Sequence, residues 1–195
     1  MKTFIIGVSI LVGIFAIFQV YLAVIHQSKN YNLVKSKENF EIRYYPLVTM
    51  AGIHSSTKSY TDLSRIGFSK LANYVSGSNK ENKRINIIGP IHMDIGESTS
   101  MMSFLMPTTY TKENLPIPND SNIIIKVISG EYVAAIRFSG FASDEKIREQ
   151  IKVLEHILQD QGYAYYGNFR FLSYNRPYQL FNRRNEIIVT IGSWD

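Results

Sequence analysis

Residues 59–77, SYTDLSRIGFSKLANYVSG, put Tyr60, Leu63, Ile66, Gly67, Leu71, Tyr74 and Val75 at three- and four-residue steps. That spacing makes one apolar stripe on an α-helix. Ser59 is placed to cap its start, Asp62 follows three residues on as a shortened capping box, and Gly77 is placed to end it. A one-sided helix is not stable alone in water, so the stripe demands a sheet to lie on. Arg65, Lys70 and Asn73 fall off the stripe, where such groups are ordinarily solvated and where the basic ones are also able to meet an anion.

A second such segment follows. Ser143 caps it, Asp144 and Glu145 sit where the helix dipole favours acids, Ile147, Ile151, Leu154 and Leu158 form the stripe, and Gly162 ends it. Strands are expected over 40–45, 47–55, 85–93 with a Gly89-Pro90 bend, 98–106, 123–128, 131–138, 165–174 and 186–191. The 85–93 and 98–106 strands read as a hairpin across a turn near 94–96, and 123–128 with 131–138 as another about Ser129-Gly130. Residues 107–120, with three prolines, read as a long surface loop. Met50-Ala51-Gly52-Ile53-His54 and Val133-Ala134-Ala135-Ile136-Arg137 look alike, 83 positions apart, and each leads through serine to a helix. The body therefore reads as a duplicated strand–helix–strand unit whose halves share one sheet system, because one half buries too little alone.

The amino end is different. Residues 4–25 are nearly continuous apolar sequence, broken only by Ser9 and Gln19, and about 20 such residues span a bilayer core. The exit, Ala23-Val24-Ile25-His26-Gln27, lacks a small-x-small cleavage site, so the expectation is an uncleaved single-pass membrane anchor. The expected organisation is an anchor over 1–27 in contact with the lipid bilayer, a polar tether over 28–38 and a body over 39–195, placed outside the cytoplasm.

There is no cysteine, which excludes a disulfide or thiol nucleophile. A net charge of +5 spread along the chain argues for weak attraction to anionic ligands or membranes and against a nucleic-acid surface. No nucleophile elbow, Walker loop, dinucleotide fingerprint or paired carboxylate is legible, so no catalytic residue is assigned. The four histidines lack zinc spacing. His92-x-Asp94 with Glu97 reads as a turn, His54 as a satisfied strand residue and His156 as a surface residue on the second helix. Met101, Met102 and Met106 read as core filling.

Several pieces, taken in order, resemble the SOUL/haem-binding protein family. They are Phe40-Glu41-Ile42-Arg43-Tyr44-Tyr45, Gly67-Phe68-Ser69-Lys70-Leu71 with Tyr74 and Gly77-x-Asn79, Gly89-Pro90-Ile91, Phe138-Ser139-Gly140-Phe141, Tyr174-Asn175-x-Pro177 and Asn182-Arg183-Arg184-Asn185-Glu186-Ile187. The resemblance covers residues 39–191 and leaves the apolar amino end outside. It implies an α+β fold, a twisted and distorted β-barrel of two related strand–helix–strand halves flanked by two α-helices, here preceded by the single transmembrane helix. It also implies non-covalent binding of haem or a related porphyrin in a shallow apolar site along the first helix, closed by the segment before the last strand. By that likeness Arg65 faces the propionates, and Phe68 and Asn73 line the same patch. Gln179 stands at a second position that is basic in the family, Asn73 where a relative carries lysine, and Tyr44 where one branch carries a histidine proposed as axial ligand. The implied function is a membrane-tethered haem or tetrapyrrole carrier or buffer. A haem-modifying enzyme on the same surface and a scaffold protein with a filled pocket are the alternatives.

Overall fold

The computed structural model describes residues 13–15, 30–175, 179 and 183–192. Its elements are β1 (Asn32–Ser36), β2 (Glu41–Tyr45), β3 (Val48–Ser55), α1 (Tyr60–Val75), β4 (Ile88–Ile95), β5 (Ser100–Leu105), β6 (Ile123–Ile128), β7 (Glu131–Ser139), α2 (Asp144–Asp160), β8 (Tyr165–Ser173) and β9 (Arg184–Ile191). All nine strands join one antiparallel sheet in the order β1-β2-β7-β9-β8-β4-β5-β3-β6. The paths β3–α1–β4–β5 and β7–α2–β8–β9 are the same, and they meet at the central β8–β4 ladder.

Both helices start where side-chain chemistry dictates. Ser59 Oγ accepts from Asp62 N at 3.1 Å and Ser143 Oγ from Lys146 N at 3.2 Å. The α1 stripe buries Tyr60, Leu63, Gly67, Leu71 and Tyr74 on the sheet, while Ile66 at its margin is exposed. Each fully buried leucine contributes about 1.5–3 kcal/mol. Gly67 lets α1 approach closely, since a Cβ there would lie 2.7 Å from Met102 Sδ and 3.1 Å from Ile53 Cγ2. On the opposite face of the sheet a second cluster gathers Tyr31, Tyr45, Val133, Ala135, Leu172, Tyr174 and Ile188.

The two helix starts are tied to each other. Asp144, the first residue of α2, accepts from Ser59 Oγ (2.6 Å), Tyr60 N (2.7 Å) and Thr61 N (3.2 Å), so one carboxylate satisfies free donors of the other helix. Asp144→Ala is expected to cost about 1–2 kcal/mol, a fall in Tm of about 2–8 °C by differential scanning calorimetry. An unchanged Tm would mean that water replaces the tie at no cost.

Four sequence expectations change. The transmembrane helix is the first. Among the described residues no helix is long and apolar enough to cross a membrane, and of residues 4–25 only 13–15 are described, the remainder lying outside. The architecture therefore stands without a membrane helix, and the single-pass membrane localisation and bilayer contact are withdrawn. Second, the stretch read as a tether contains β1, which pairs with β2 through a bulge between Leu33 and Lys35. Third, β6 and β7 are not a hairpin. β6 pairs with β3, whereas β7 pairs with β2 and β9. The Ser129-Gly130 link steps between distant strands of the curled sheet, and Gly130 is needed because a Cβ there would collide with the Tyr44 side chain. Fourth, the His92-x-Asp94 pair is inside β4, because the strand expected over 85–93 runs from Ile88 to Ile95 and carries the turn past it. The expected Gly89-Pro90 bend falls in the register shift between Ile88 and Ile91, the kind of irregularity that admits proline.

Candidate functional site

Strand alternation puts Ile91 and Met93 of β4 on the helix side of the sheet, beside Phe171 of β8. Above them runs α1, whose Ser64, Arg65, Phe68 and Ser69 form one wall. Two adjoining depressions of about 330 and 270 Å³ open here and share Ser64, Arg65, Met93, Ser173 and Arg183. The second extends between the helix starts to Tyr60, Phe141 and Asn185. The floor is apolar and aromatic: Phe68 packs edge-on to Phe104 at 5.8 Å, and Tyr60 edge-on to Phe171 at 5.9 Å. Burial pushes the Tyr60 hydroxyl up to about 12, with Asp94 and Asp144 adding to it, so it stays a neutral phenol.

Among the described residues two cations border this cleft, and no carboxylate lines it. Arg65 is largely exposed and, among the described residues, pairs with its helical neighbour Asp62 at 2.9 Å, a screened pair that holds it weakly. Arg183 is fixed more firmly. Its guanidinium lies 4.6 Å over the Phe141 ring and its Nη1 donates to Gln179 O at 2.7 Å. Arg183 Nε is buried with no partner among the described residues, and burial lowers its pKa. Asn185 is in the same position. Its amide donates to Gly140 O at 2.8 Å, while Oδ1 is buried without a partner. A buried unsatisfied polar group costs about 1–3 kcal/mol, and two of them border one cleft.

The sequence-derived residues divide. Arg65 and Phe68 line the cleft. Asn73 is exposed further along α1 and is not among the lining residues. Gln179 is buried and offers its carbonyl to Arg183. Arg183 and Asn185 were missed as site residues, although a period of two back from β9 sets them on one side and Arg184 on the other. Tyr44 is remote from the cleft and packs on Tyr132 with ring centroids 5.0 Å apart. No histidine lines the cleft, and among the described residues no cluster of three His, Asp or Glu is placed to hold a metal ion. A larger depression of about 560 Å³ lies between the β1–β2 turn and the end of α2. It is bordered by Lys37, Glu38, Asp160 and Gln161 and holds no orphaned buried group.

The far face of β9 secures this geometry. Glu186, fully buried, accepts from Arg43 (2.6 and 3.1 Å), Arg184 (2.7 and 2.9 Å) and Tyr174 Oη (2.9 Å). Arg43 and Arg184 stack over Tyr31 and Tyr174, each at 4.1 Å. Burial alone would raise the Glu186 carboxyl, but the two guanidiniums outweigh it and hold the group below its ordinary value.

The family model described as "SOUL heme-binding protein" matches residues 26–190. The chain belongs to this family. Heme-binding protein 2 of Mus musculus and that of Homo sapiens are each 27% identical to this SOUL protein over 157 residues, which is 76% of either chain. Among solved structures, the C-terminal domain of EcmrR superposes with a TM-score of 0.62 at 12% identity, covering 85% of this chain and all of that one. An uncharacterized conserved protein from Listeria innocua superposes with a TM-score of 0.59 at 9% identity, over 80% of this chain and 93% of that one. At such identities these two matches speak to the fold alone.

Proposed function

We propose that this SOUL protein binds haem or a related tetrapyrrole, non-covalently, in the open cleft along α1, and serves as its carrier or buffer. The observation that supports this most is the orphaned Arg183 Nε at the edge of an apolar floor, across from Arg65. The floor suits the face of a flat macrocycle through area burial. The two guanidiniums suit its carboxylates, because a planar fork of donors matches a carboxylate in charge and geometry. Ser64, Ser69, Ser173 and Asn185 add polar contacts at the rim. Haem would bring its own iron chemistry. The chain's part is to cover one ring face and neutralise the acids, and the closing segment expected before the last strand lies, apart from Gln179, outside the described residues.

Hemin titrated into the full chain is expected to give a saturable Soret shift at one equivalent. Arg183→Ala is expected to weaken binding about 10- to 100-fold, the worth of a charged hydrogen bond in a desolvated setting. Arg65→Ala, removing an exposed cation, should cost about 3- to 5-fold. Equal affinity in both variants and the wild type would remove the cleft from consideration. Turnover beyond one equivalent would replace the carrier with an enzyme.

A further inference from the structure

The proposal concerns the end of the sheet away from the ligand cleft and does not depend on it. β6 is the last strand in the order and hydrogen-bonds through one edge to β3; among the described residues no strand lies along its other edge. Its sequence, IIIKVI, is five β-branched residues around one lysine. Such an edge presents a row of N–H and C=O groups, otherwise hydrated, that another extended chain is able to pair with. Lysine commonly guards an edge of this kind. Here Lys126 Nζ reaches back across β3 to lie 3.6 Å from Met101 Sδ on β5, away from the open side. Beside the edge is an apolar groove of about 330 Å³ in which Leu47, Val48, Met106, Tyr110 and Val127 take part. Leu47 and Val127 there are 62% and 44% exposed.

β6 is itself the extended apolar strand best suited to this edge. Ile123 and Ile125 face the helix-side core, so Val127 shares their face, while Ile124 and Lys126 point to the other. A two-fold axis normal to the sheet keeps faces matched and must pass through one residue. Through Lys126 it would set two ammonium groups opposite each other, which is unfavourable. Through Ile124 it would leave Lys126, Val127 and Ile128 beyond the partner strand. Through Ile125 it sets Ile125 against itself, Ile123 against Val127, and Lys126 beside Ile124, where the lysine stem covers apolar surface. We propose that a second copy of this chain pairs antiparallel with β6 about a two-fold axis through Ile125.

The absence of any cysteine makes the register directly readable. Under mild oxidation the full chain carrying Ile125→Cys is expected to form a covalent dimer, because directly opposed residues fall within the Cα separation that a disulfide needs. Lys126→Cys and Val127→Cys place the thiols two and four residues out of register, beyond about 7 Å, and should link at least five-fold less. In parallel, Val127→Lys at an exposed position is expected to weaken self-association at least ten-fold in sedimentation, with an unchanged circular dichroism spectrum. No dimer from Ile125→Cys, or equal linking at all three positions, overturns the proposal. So does a wild-type chain that stays monomeric at about 100 μM, where interfaces of micromolar affinity are populated. Binding of a peptide copying residues 121–129, with Ile125→Cys still monomeric, would assign the edge to a foreign strand instead.

Discussion

Between pH 7 and pH 5 the folded protein is expected to lose about 2 kcal/mol of stability through His92, and His92→Gln is expected to remove that loss. His92 is buried between Ser103 of β5 and Leu172 of β8, and its Nε2 has no partner. Burial, with the nearby Arg170 cation adding to it, lowers its pKa to about 3, against an ordinary value of 6.5. Arg170 gives no relief, since its charge repels a proton on the ring even while Glu131 holds it at 2.6 Å. The unfolded chain therefore takes up a proton that the folded chain refuses. Stability is full above about pH 6.5 and falls as the pH drops from there towards 3. For a chain of this length the loss at pH 5 corresponds to a fall in Tm of about 4–8 °C. Urea unfolding at the two pH values, in wild type and variant, reads the difference directly. An equal pH slope in both proteins would show that the imidazole is not the group responsible.

Glu186→Gln is expected to destabilise the fold by about 3–5 kcal/mol, the largest single effect of any substitution proposed. The carboxylate is the shared counter-ion of Arg43 and Arg184, all three at most 6% exposed. An amide of the same shape keeps the packing and leaves two guanidiniums with Glu41 as the one remaining carboxylate, itself partly exposed and 2.7 Å from Arg43. Tyr174→Phe removes only the 2.9 Å hydroxyl contact to the same oxygen, and should cost about 1.5–3 kcal/mol. The order of the two variants in chemical denaturation is the check. A glutamine variant less affected than the phenylalanine one would mean that the ion cluster relaxes or admits water.

Much of the body is written locally. The caps at Ser59 and Ser143, the helical stripes and most strand spans follow from short-range pattern, and so they can be read without any knowledge of the fold. What was lost is what local pattern does not carry. The link at Ser129-Gly130 has the length of a hairpin, yet the curl of the sheet sends its two strands to different partners. β1 has a polar, exposed sequence because it is an edge strand, so it reads like a tether. The turn after β4 was set too early, at 94–96, although Ile91, Met93 and Ile95 alternate with His92 and Asp94 in the manner of a strand. At the cleft, Arg65 and Phe68 were legible from the helix and from the family resemblance. Arg183 was not, because Arg183-Arg184 reads as two equivalent cations until β9 turns one towards the cleft and the other into the ion cluster. Asp144 looked like an ordinary first-turn acid, and its partners on α1 lie more than 80 positions away.

The Arg43–Glu186 contact joins residues 143 positions apart. A nascent chain that has produced β2 has Glu41 beside the Arg43 guanidinium, but the buried carboxylate that takes its other donors comes only when nearly the whole polypeptide has been made. The first helix and the strands β3 to β6 have all their mutual partners within one contiguous stretch and are able to assemble early, but β2 must wait for β7 and β9. A product cut short before its last strand therefore lacks the carboxylate around which this layer closes, and keeps the open edges and apolar surface that make unfinished chains prone to aggregate.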